Sequence, residues 1–322
     1  MAVHGRPTGP RSVSFLDDVL AGLEARPRAI PARWFYDREG SELFEAITQL
    51  PEYYPTRTET AILEHACDEM AELVGPGRAV VEFGAGSATK TRILLRCVRP
   101  AAYVPIDISG DFLREAAAAL AAEFPDLSVV PFEADFMRPL TLPDAAMRAP
   151  KLGFFPGSTI GNLEPAGAVD LLRAMRGSLG EGAFLLIGAD RVKDRDVLVR
   201  AYDDAQGVTA AFNMNLLARI NRELDGDVSL DAFRHRAVWN EDAARIEMHL
   251  EAVRDAGFTV GGRRFFVAAG ETIHTENSHK YTPESARLLL RAGGWEPVRA
   301  WEDARGWFSV ILAEARPVPS AP

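Results

Sequence analysis

Apolar and polar residues follow two different rhythms along this 322-residue chain. Between about Ala79 and Leu186, short β-branched runs alternate with stretches of helical spacing. Ala79-Val80-Val81-Glu82-Phe83 ends in Gly84-Ala85-Gly86, and Thr89–Val98 then repeats its apolar residues every three or four positions, as one buried helix face requires. Tyr103–Asp107 predicts a second strand, and Gly110–Phe124 a second helix whose alanine-rich middle has high helix propensity. Ser128–Phe132, Lys151–Pro156 and Phe184–Ile187 predict three more strands. Alternation at this spacing predicts an α/β fold with a doubly wound parallel sheet. Pro105 and Pro131 stand inside two of the strands, where proline has no N–H to give to a ladder.

Outside this block the rhythm changes. Residues 1–60 read as short helices broken by prolines, ending in the aromatic Leu50-Pro51-Glu52-Tyr53-Tyr54-Pro55. Residues 192–282 combine a helix, Asp196–Glu223, with strand-like runs at Arg245–Val253 and Arg263–Val267, as the substrate-facing part of a second domain would. Trp307–Ala313 is strand-like again and is expected to return to the sheet, ahead of a frayed, proline-punctuated tail. The length exceeds the ~100–200 residues of one typical domain, so two domains, or one core with a large insertion, are expected.

Composition narrows the function classes. With 47% hydrophobic and 25% charged residues the chain is a folded protein rather than a disordered one. Its 46 acidic against 36 basic residues give a net charge of −10, which repels phosphate backbones and argues against nucleic acid as a partner. No uncharged apolar run reaches the ~18 residues of a spanning helix, and MAVHGRPTGPRSVSF has no signal-peptide core. No membrane partner is expected, and a cytoplasmic location is. Cys67 and Cys97 lack metal-ligand spacing and are expected as two free thiols rather than one disulfide. His274 and His279 have no third ligand at matching spacing, so no metal is expected.

The turn after the first strand carries candidate chemistry. Gly84 and Gly86 let a ligand approach the backbone between a strand and a helix. Asp107, 21 residues beyond Gly86, is placed to accept from ribose hydroxyls. Asp135 and Phe136 follow the third strand, where a carboxylate could accept from an adenine amino group while the ring packs on the base. A lone G-x-G can also be an ordinary turn, and either aspartate alone a cap. All three at successive strand ends favour a ligand, because such sheets bind at their carboxyl edges. Thr89 occupies the place of a third glycine, and Glu82 precedes the turn, a poor neighbour for a pyrophosphate. A cationic cofactor with one adenosine, S-adenosylmethionine, therefore fits better than a nicotinamide dinucleotide.

Further clusters lie outside this pattern: Trp34-Phe35-Tyr36-Asp37, Pro51–Glu59, Gly157-Ser158-Thr159-Ile160-Gly161-Asn162, Arg200–Ala205, Arg245-Ile246-Glu247-Met248 and His274–Tyr281. Taken in order, they resemble the histidine-specific methyltransferase family, whose characterised bacterial members convert L-histidine to hercynine on the way to ergothioneine. The resemblance runs from about Ile30 to Ala313. It implies a Rossmann-like class I methyltransferase domain of residues 58–191 plus 283–322, and a discontinuous α+β substrate-binding domain of residues 5–57 plus 192–282. It implies that Asn162 and Tyr202 hold the substrate carboxylate, that Glu276 and Ser278 bind the imidazole nitrogens, and that Met248 packs beside the ring. Tyr36, Phe44, Tyr53, Gly157 and Phe212 would wall the amine pocket, with Tyr36 and Tyr53 as the catalytic pair orienting the nucleophile. Gly84, Gly86, Lys90, Asp107, Asp135 and Phe136 would bind S-adenosylmethionine. A monomer is implied. In this chain Asn277 separates Glu276 from Ser278 and His279 follows, polar where the family pattern is less so; turned inward, these side chains would alter the imidazole pocket. The competing readings are methylation of another aromatic amino acid such as tyrosine or tryptophan, a nicotinamide-dependent oxidoreductase, and a non-catalytic binding module.

Overall fold

A computed structural model describes residues 14–85, 88–108 and 110–316. The opening residues, Gly86 and the proline-punctuated tail lie outside the described residues. The chain starts with α1 (Phe15–Glu24), capped by the Ser14 hydroxyl, which accepts the Asp17 N–H at 3.1 Å. A short strand, β1 (Arg28–Ala29), a 3-10 turn at Ala32–Phe35, and the helices α2 (Arg38–Thr48), α3 (Tyr54–His65) and α4 (Cys67–Val74) follow. The alternating block then runs β2 (Ala79–Phe83), α5 (Ala88–Val98), β3 (Ala102–Asp107), α6 (Gly110–Glu123), β4 (Ser128–Val129), β5 (Phe132–Glu133), α7 (Asp144–Met147), β6 (Lys151–Phe155), α8 (Pro165–Leu179) and β7 (Phe184–Asp190).

Beyond it come α9 (Arg195–Arg200), α10 (Val208–Glu223), β8 (Phe233–Asn240), β9 (Arg245–Ala252), β10 (Ala256–Val260), β11 (Arg263–Val267) and β12 (Thr272–His279). The chain closes with α11 (Pro283–Ala292), β13 (Glu296–Glu302) and β14 (Phe308–Glu314). It divides into two compact units. The smaller comprises residues up to Ile47, Tyr202–Val238 and Glu247–Glu276; the larger comprises Thr48–Ala201, Trp239–Ile246 and the residues from Asn277 on.

The larger unit is built on a sheet of order β13-β14-β7-β6-β2-β3-β4, with β5 also paired to β3. β7, β6, β2, β3 and β4 run parallel, while β14 pairs antiparallel with both β7 and β13. Trp307–Ala313 was expected to return to the sheet, and as β14 it does. Alternate residues of β2 serve the two faces: Ala79, Val81 and Phe83 join one core with Leu171, Met175 and Ile311, and Val80 joins the other with Leu94, Leu152 and Leu312. The strand expected at Ser128–Phe132 is interrupted, because Pro131 within it and Pro105 opposite have no N–H to offer. The order reverses on either side of β2, with β3 to one side and β6 to the other. That reversal makes the carboxyl ends of these strands the place where such sheets take ligands.

Two expectations are corrected here. Cys67 and Cys97 are not free thiols but a disulfide, with Cα atoms 5.4 Å apart. α4 and α5 pack side by side on the core formed by Met70, Leu94 and Val98, which brings cysteines 30 positions apart into bridging range. The argument for a reducing compartment from free thiols falls away with them. The single helix expected at Asp196–Glu223 is two helices, α9 and α10. Gly207 takes a left-handed φ of 74°, and the Asp204 carboxylate accepts the Val208 and Thr209 N–H groups at 3.0 and 2.7 Å, so a new helix starts there.

A second sheet has the order β1-β12-β9-β8, and most of its residues belong to the smaller unit. Along β9 buried and half-buried residues alternate, and one face of α10 buries Phe212, Leu216 and Ile220. The hairpin β10–β11 completes the unit.

Candidate active site

At the carboxyl end of β2, Gly84 takes a φ of +75°, and a Cβ built there would meet the Phe136 ring at 3.6 Å. A side chain would fill the space over that ring, so the sequence needs glycine to keep the turn open. Phe136 stands edge-on to Phe83, with ring centroids 6.0 Å apart. Asp107 ends β3 at the same edge, and Asp135 is exposed, its carboxylate accepting the Met137 N–H at 3.0 Å. Gly84, Asp107, Asp135 and Phe136 are thus gathered at one sheet edge. Gly86 lies outside the described residues.

Beneath this edge lie buried charges, and the partner of Lys90 among them is one that motif reading did not assign. Lys90, in the first turn of α5, donates to Glu59 of α3 at 2.6 Å, and the Gly157 N–H donates to the same carboxylate at 2.8 Å. Glu59 is 1% exposed. It therefore links a residue assigned to the cofactor with one assigned to the substrate. The signal was present in the sequence: Glu59 sits on the stripe of Tyr54, Pro55, Ile62 and Leu63, all buried, where an unpaired carboxylate would be costly.

Glu82, on the opposite β2 face from Phe83, accepts the Tyr103 hydroxyl at 2.6 Å and the Thr91 hydroxyl at 2.8 Å. Burial pushes its carboxyl up to about 7, against the pull of the two hydroxyl donors and the nearby Lys90. Asp190, at the end of β7, is equally buried but surrounded differently. Its oxygens accept from Tyr54, Lys193 and Lys280, and burial alone would raise its pKa. The two ammonium groups overcome burial and hold the carboxyl below its usual range. Burial in turn lowers Lys193 to about 8, despite its contact with Asp190.

Tyr53, Gly157, Asn162 and Ser278 also belong to the larger unit. Tyr53 is buried just before α3, Gly157 follows β6, and Asn162 is half-buried at the end of a 3-10 turn. Ser278 is buried and its Oγ accepts from the Lys280 ammonium at 2.7 Å.

In the smaller unit Tyr36, Phe44 and Phe212 form one aromatic cluster. Tyr36 lies 5.7 Å from Phe44 and 5.8 Å from Phe212, and Phe35 adds a fourth ring 4.6 Å from Phe212. Tyr202 and Met248 are buried, and a polar chain fixes their backbone. His235 Nε2–H donates to the Tyr202 carbonyl at 2.8 Å, which leaves Nδ1 to accept from Asn213 at 2.9 Å. Burial lowers the pKa of His235 and so favours this neutral tautomer. Thr275 Oγ1 lies 2.8 Å from Asn213 Oδ1 and 3.0 Å from the Met248 carbonyl, so its single proton is shared between the two acceptors.

Asn277 and His279 both lie on β12. Side chains alternate across a strand, so Glu276 and Ser278 share one face while Asn277 and His279 take the other. Asn277 donates to Glu164 at 3.0 Å beside the Arg245–Glu164 ion pair, and His279 Nδ1 lies 3.2 Å from the Ala243 carbonyl. Neither shares the Glu276 face.

Among the described residues no three His, Cys, Asp or Glu side chains are grouped to hold a metal, and no helix is long and apolar enough to cross a membrane.

Comparison with known proteins identifies the family. Residues 15–315 match the model of a family described as histidine-specific methyltransferase, SAM-dependent. A histidine N-alpha-methyltransferase of Mycolicibacterium smegmatis is 45% identical over 303 residues, 92% of this chain and 93% of the relative. Its counterpart in Mycobacterium tuberculosis is 43% identical, with the same coverage. Among solved structures, an S-adenosylmethionine-dependent methyltransferase from Clostridium acetobutylicum superposes with a TM-score of 0.51 at 11% identity, covering 86% of this chain and 99% of that one. That likeness is one of fold.

Proposed function

The chain belongs to the histidine-specific, S-adenosylmethionine-dependent methyltransferase family, and on that premise we propose that it adds three methyl groups to the α-amino nitrogen of L-histidine. The product is hercynine, N-alpha,N-alpha,N-alpha-trimethyl-L-histidine, made for ergothioneine biosynthesis. One observation carries the choice of substrate: the alternation of β12 sets a carboxylate, Glu276, and a hydroxyl, Ser278, on the same face. An imidazole offers one N–H and one lone-pair nitrogen, which such a pair can serve. An indole offers only a donor, and a phenol offers donor and acceptor on a single atom, so neither serves two groups at separate positions as an imidazole does.

The open turn at Gly84 beside Phe136 fits an adenosine-bearing cofactor, and Gly84, Lys90, Asp107, Asp135 and Phe136 would hold it, with Gly86 assigned by the motif. S-adenosylmethionine supplies a methyl on a sulfonium that is already a good leaving group. The protein's work is then mainly alignment. Asn162 and Tyr202 donate to the substrate carboxylate, and Met248 packs on the ring. Tyr36 and Tyr53 orient the amine, and Phe44, Phe212 and Gly157 wall it. An α-amine titrates near ~8, and an apolar surround keeps it neutral and nucleophilic. The aromatic faces of Tyr36, Phe44 and Phe212 suit the trimethylammonium product. In this reading the smaller unit carries the substrate, and the enzyme works as a cytoplasmic monomer, a state that light scattering checks.

Mass spectrometry of L-histidine incubated with the enzyme and S-adenosylmethionine should show three added methyl groups. An unmodified histidine beside methylated tyrosine or tryptophan would transfer the assignment to those amino acids. Glu276→Ala should lower kcat/KM for histidine far more than for either rival.

A further inference from the structure

One stripe of α10 holds the segment that presents Tyr36. Phe212, Asn215, Arg219 and Arg222 recur at steps of three, four and three, so they lie on one face of the helix. All four meet the short stretch from Trp34 to Asp37. Phe212 packs on the rings of Phe35 and Tyr36, with centroids 4.6 and 5.8 Å away. Asn215 Nδ2 donates to Asp37 Oδ1 at 3.0 Å, Arg219 donates to the Trp34 carbonyl at 2.8 Å, and Arg222 pairs with Asp37 Oδ2. Asp37 Oδ1 also accepts the Gly40 N–H at 2.7 Å, which caps α2, the helix that carries Phe44. Gly40 has no room for a side chain, since a Cβ there would meet the Phe35 carbonyl at 1.8 Å. Tyr36 is thus anchored on both sides, through the Trp34 carbonyl and the Asp37 carboxylate, while it is itself 42% exposed. No role given to the site so far uses Asp37.

We infer that Asp37 is a positioning residue for methyl transfer: it fastens the backbone beside Tyr36 to α2 and α10 at once, and so fixes where the Tyr36 hydroxyl meets the substrate amine. This rests on the reading of Tyr36 as a residue that orients that amine. The bonds of Asp37 have different duties. The cap to Gly40 is local and would be served equally well by asparagine. The bonds to Asn215 and Arg222 reach 178 and 185 positions along the chain and tie the segment to another helix. The Gly40 N–H and the Arg222 guanidinium are donors only, and they meet different oxygens of the carboxylate. Asparagine has one acceptor oxygen and one donor amide, so it keeps either the cap or the Arg222 contact and loses the other. A carboxylate serves both. The consequence for chemistry is large because in-line attack tolerates little misalignment: a displacement of ~1 Å can cost about 10²-fold in rate.

A double-mutant cycle tests this. The rate of the first methyl transfer to L-histidine is measured in single turnovers for the unaltered enzyme, Asp37→Asn, Tyr36→Phe and the double variant. Asp37→Asn should slow the step about tenfold or more in the native background and less than about twofold where Tyr36 is already replaced. Calorimetry should find S-adenosylhomocysteine binding to Asp37→Asn within about twofold of the unaltered enzyme, so that the loss falls on the chemical step. An equal slowing in both backgrounds would overturn the inference, since an aspartate that only supports the fold acts regardless of the tyrosine hydroxyl. Tyr36→Phe at the full native rate would instead overturn the reading of Tyr36 on which the inference rests. Should Asp37→Asn fail to fold, Asn215→Leu removes one anchoring bond from the α10 side and leaves the cap intact. It should slow the step about threefold or more in the native background and leave the Tyr36→Phe rate unchanged. A full native rate for Asn215→Leu would defeat the proposal.

Discussion

Two buried carboxylates sit at the carboxyl edge of the same sheet and respond to burial in opposite directions. Glu82 on β2 meets hydroxyl donors from Tyr103 and Thr91, and its pKa rises to about 7. Asp190 on β7 meets two ammonium groups, and its pKa falls. Burial alone does not decide how a carboxylate behaves; the charge of its donors does. The edge near the cofactor turn thus holds a carboxylate that can be neutral, while the edge near Lys280 and Ser278 holds one committed to its charge.

The largest effect should come from neutralising the committed one. Asp190→Asn strips two buried cations of their counter-ion and should cost about 3–5 kcal/mol in urea unfolding. A loss below ~1 kcal/mol would mean that the lysines, not the carboxylate, adapt. Glu59→Gln keeps an acceptor for the Gly157 N–H but removes the charge facing Lys90. A loss of about 1–3 kcal/mol is expected, together with weaker S-adenosylhomocysteine binding.

Glu82→Gln should have the opposite sign. The folded pKa of Glu82 lies above that of an unfolded glutamate, so the native state binds the extra proton and loses stability as pH rises from about 4.5 to about 7. Glutamine escapes this loss, and the variant should gain about 1–3 kcal/mol at pH 8 and almost nothing at pH 5. A gain independent of pH would break the comparison. The smallest effect, about 1 kcal/mol, is expected for Tyr103→Phe, which removes one hydroxyl donor to Glu82. The pH dependence seen in unfolding should move to higher pH in this variant, because the ionised form loses a hydrogen bond.

The cofactor edge was legible in the sequence because its signals are local. β2, its glycine turn and α5 are contiguous, and the helix boundaries at Val98 and Gly110 follow directly from apolar spacing. β8 and β12 were not recognised as strands, since both carry polar residues on each face and present no alternation of apolar with polar residues. The partners of the buried charges were illegible for another reason. Tyr54 and Asp190 are 136 positions apart, and Glu59 and Gly157 are 98 apart, so no window of sequence contains both partners. The disulfide has the same character: nothing local distinguishes two bridged cysteines from two free ones until α4 and α5 are packed together. The break between α9 and α10 was readable in principle, from an aspartate three positions before a glycine at the start of a new apolar stripe.

The parity of β12 separates what this enzyme can change from what it cannot. Replacing Asn277 or His279 alters anchorage to Glu164 and Ala243 without touching the face that carries Glu276 and Ser278. On the proposed reading, replacing Glu276 or Ser278 should change ligand preference without loosening that anchorage. Point mutations can therefore explore holding and choosing as separate traits. A deletion or insertion of one residue within the strand exchanges the two faces at once, so this segment should tolerate substitution far better than any change of length.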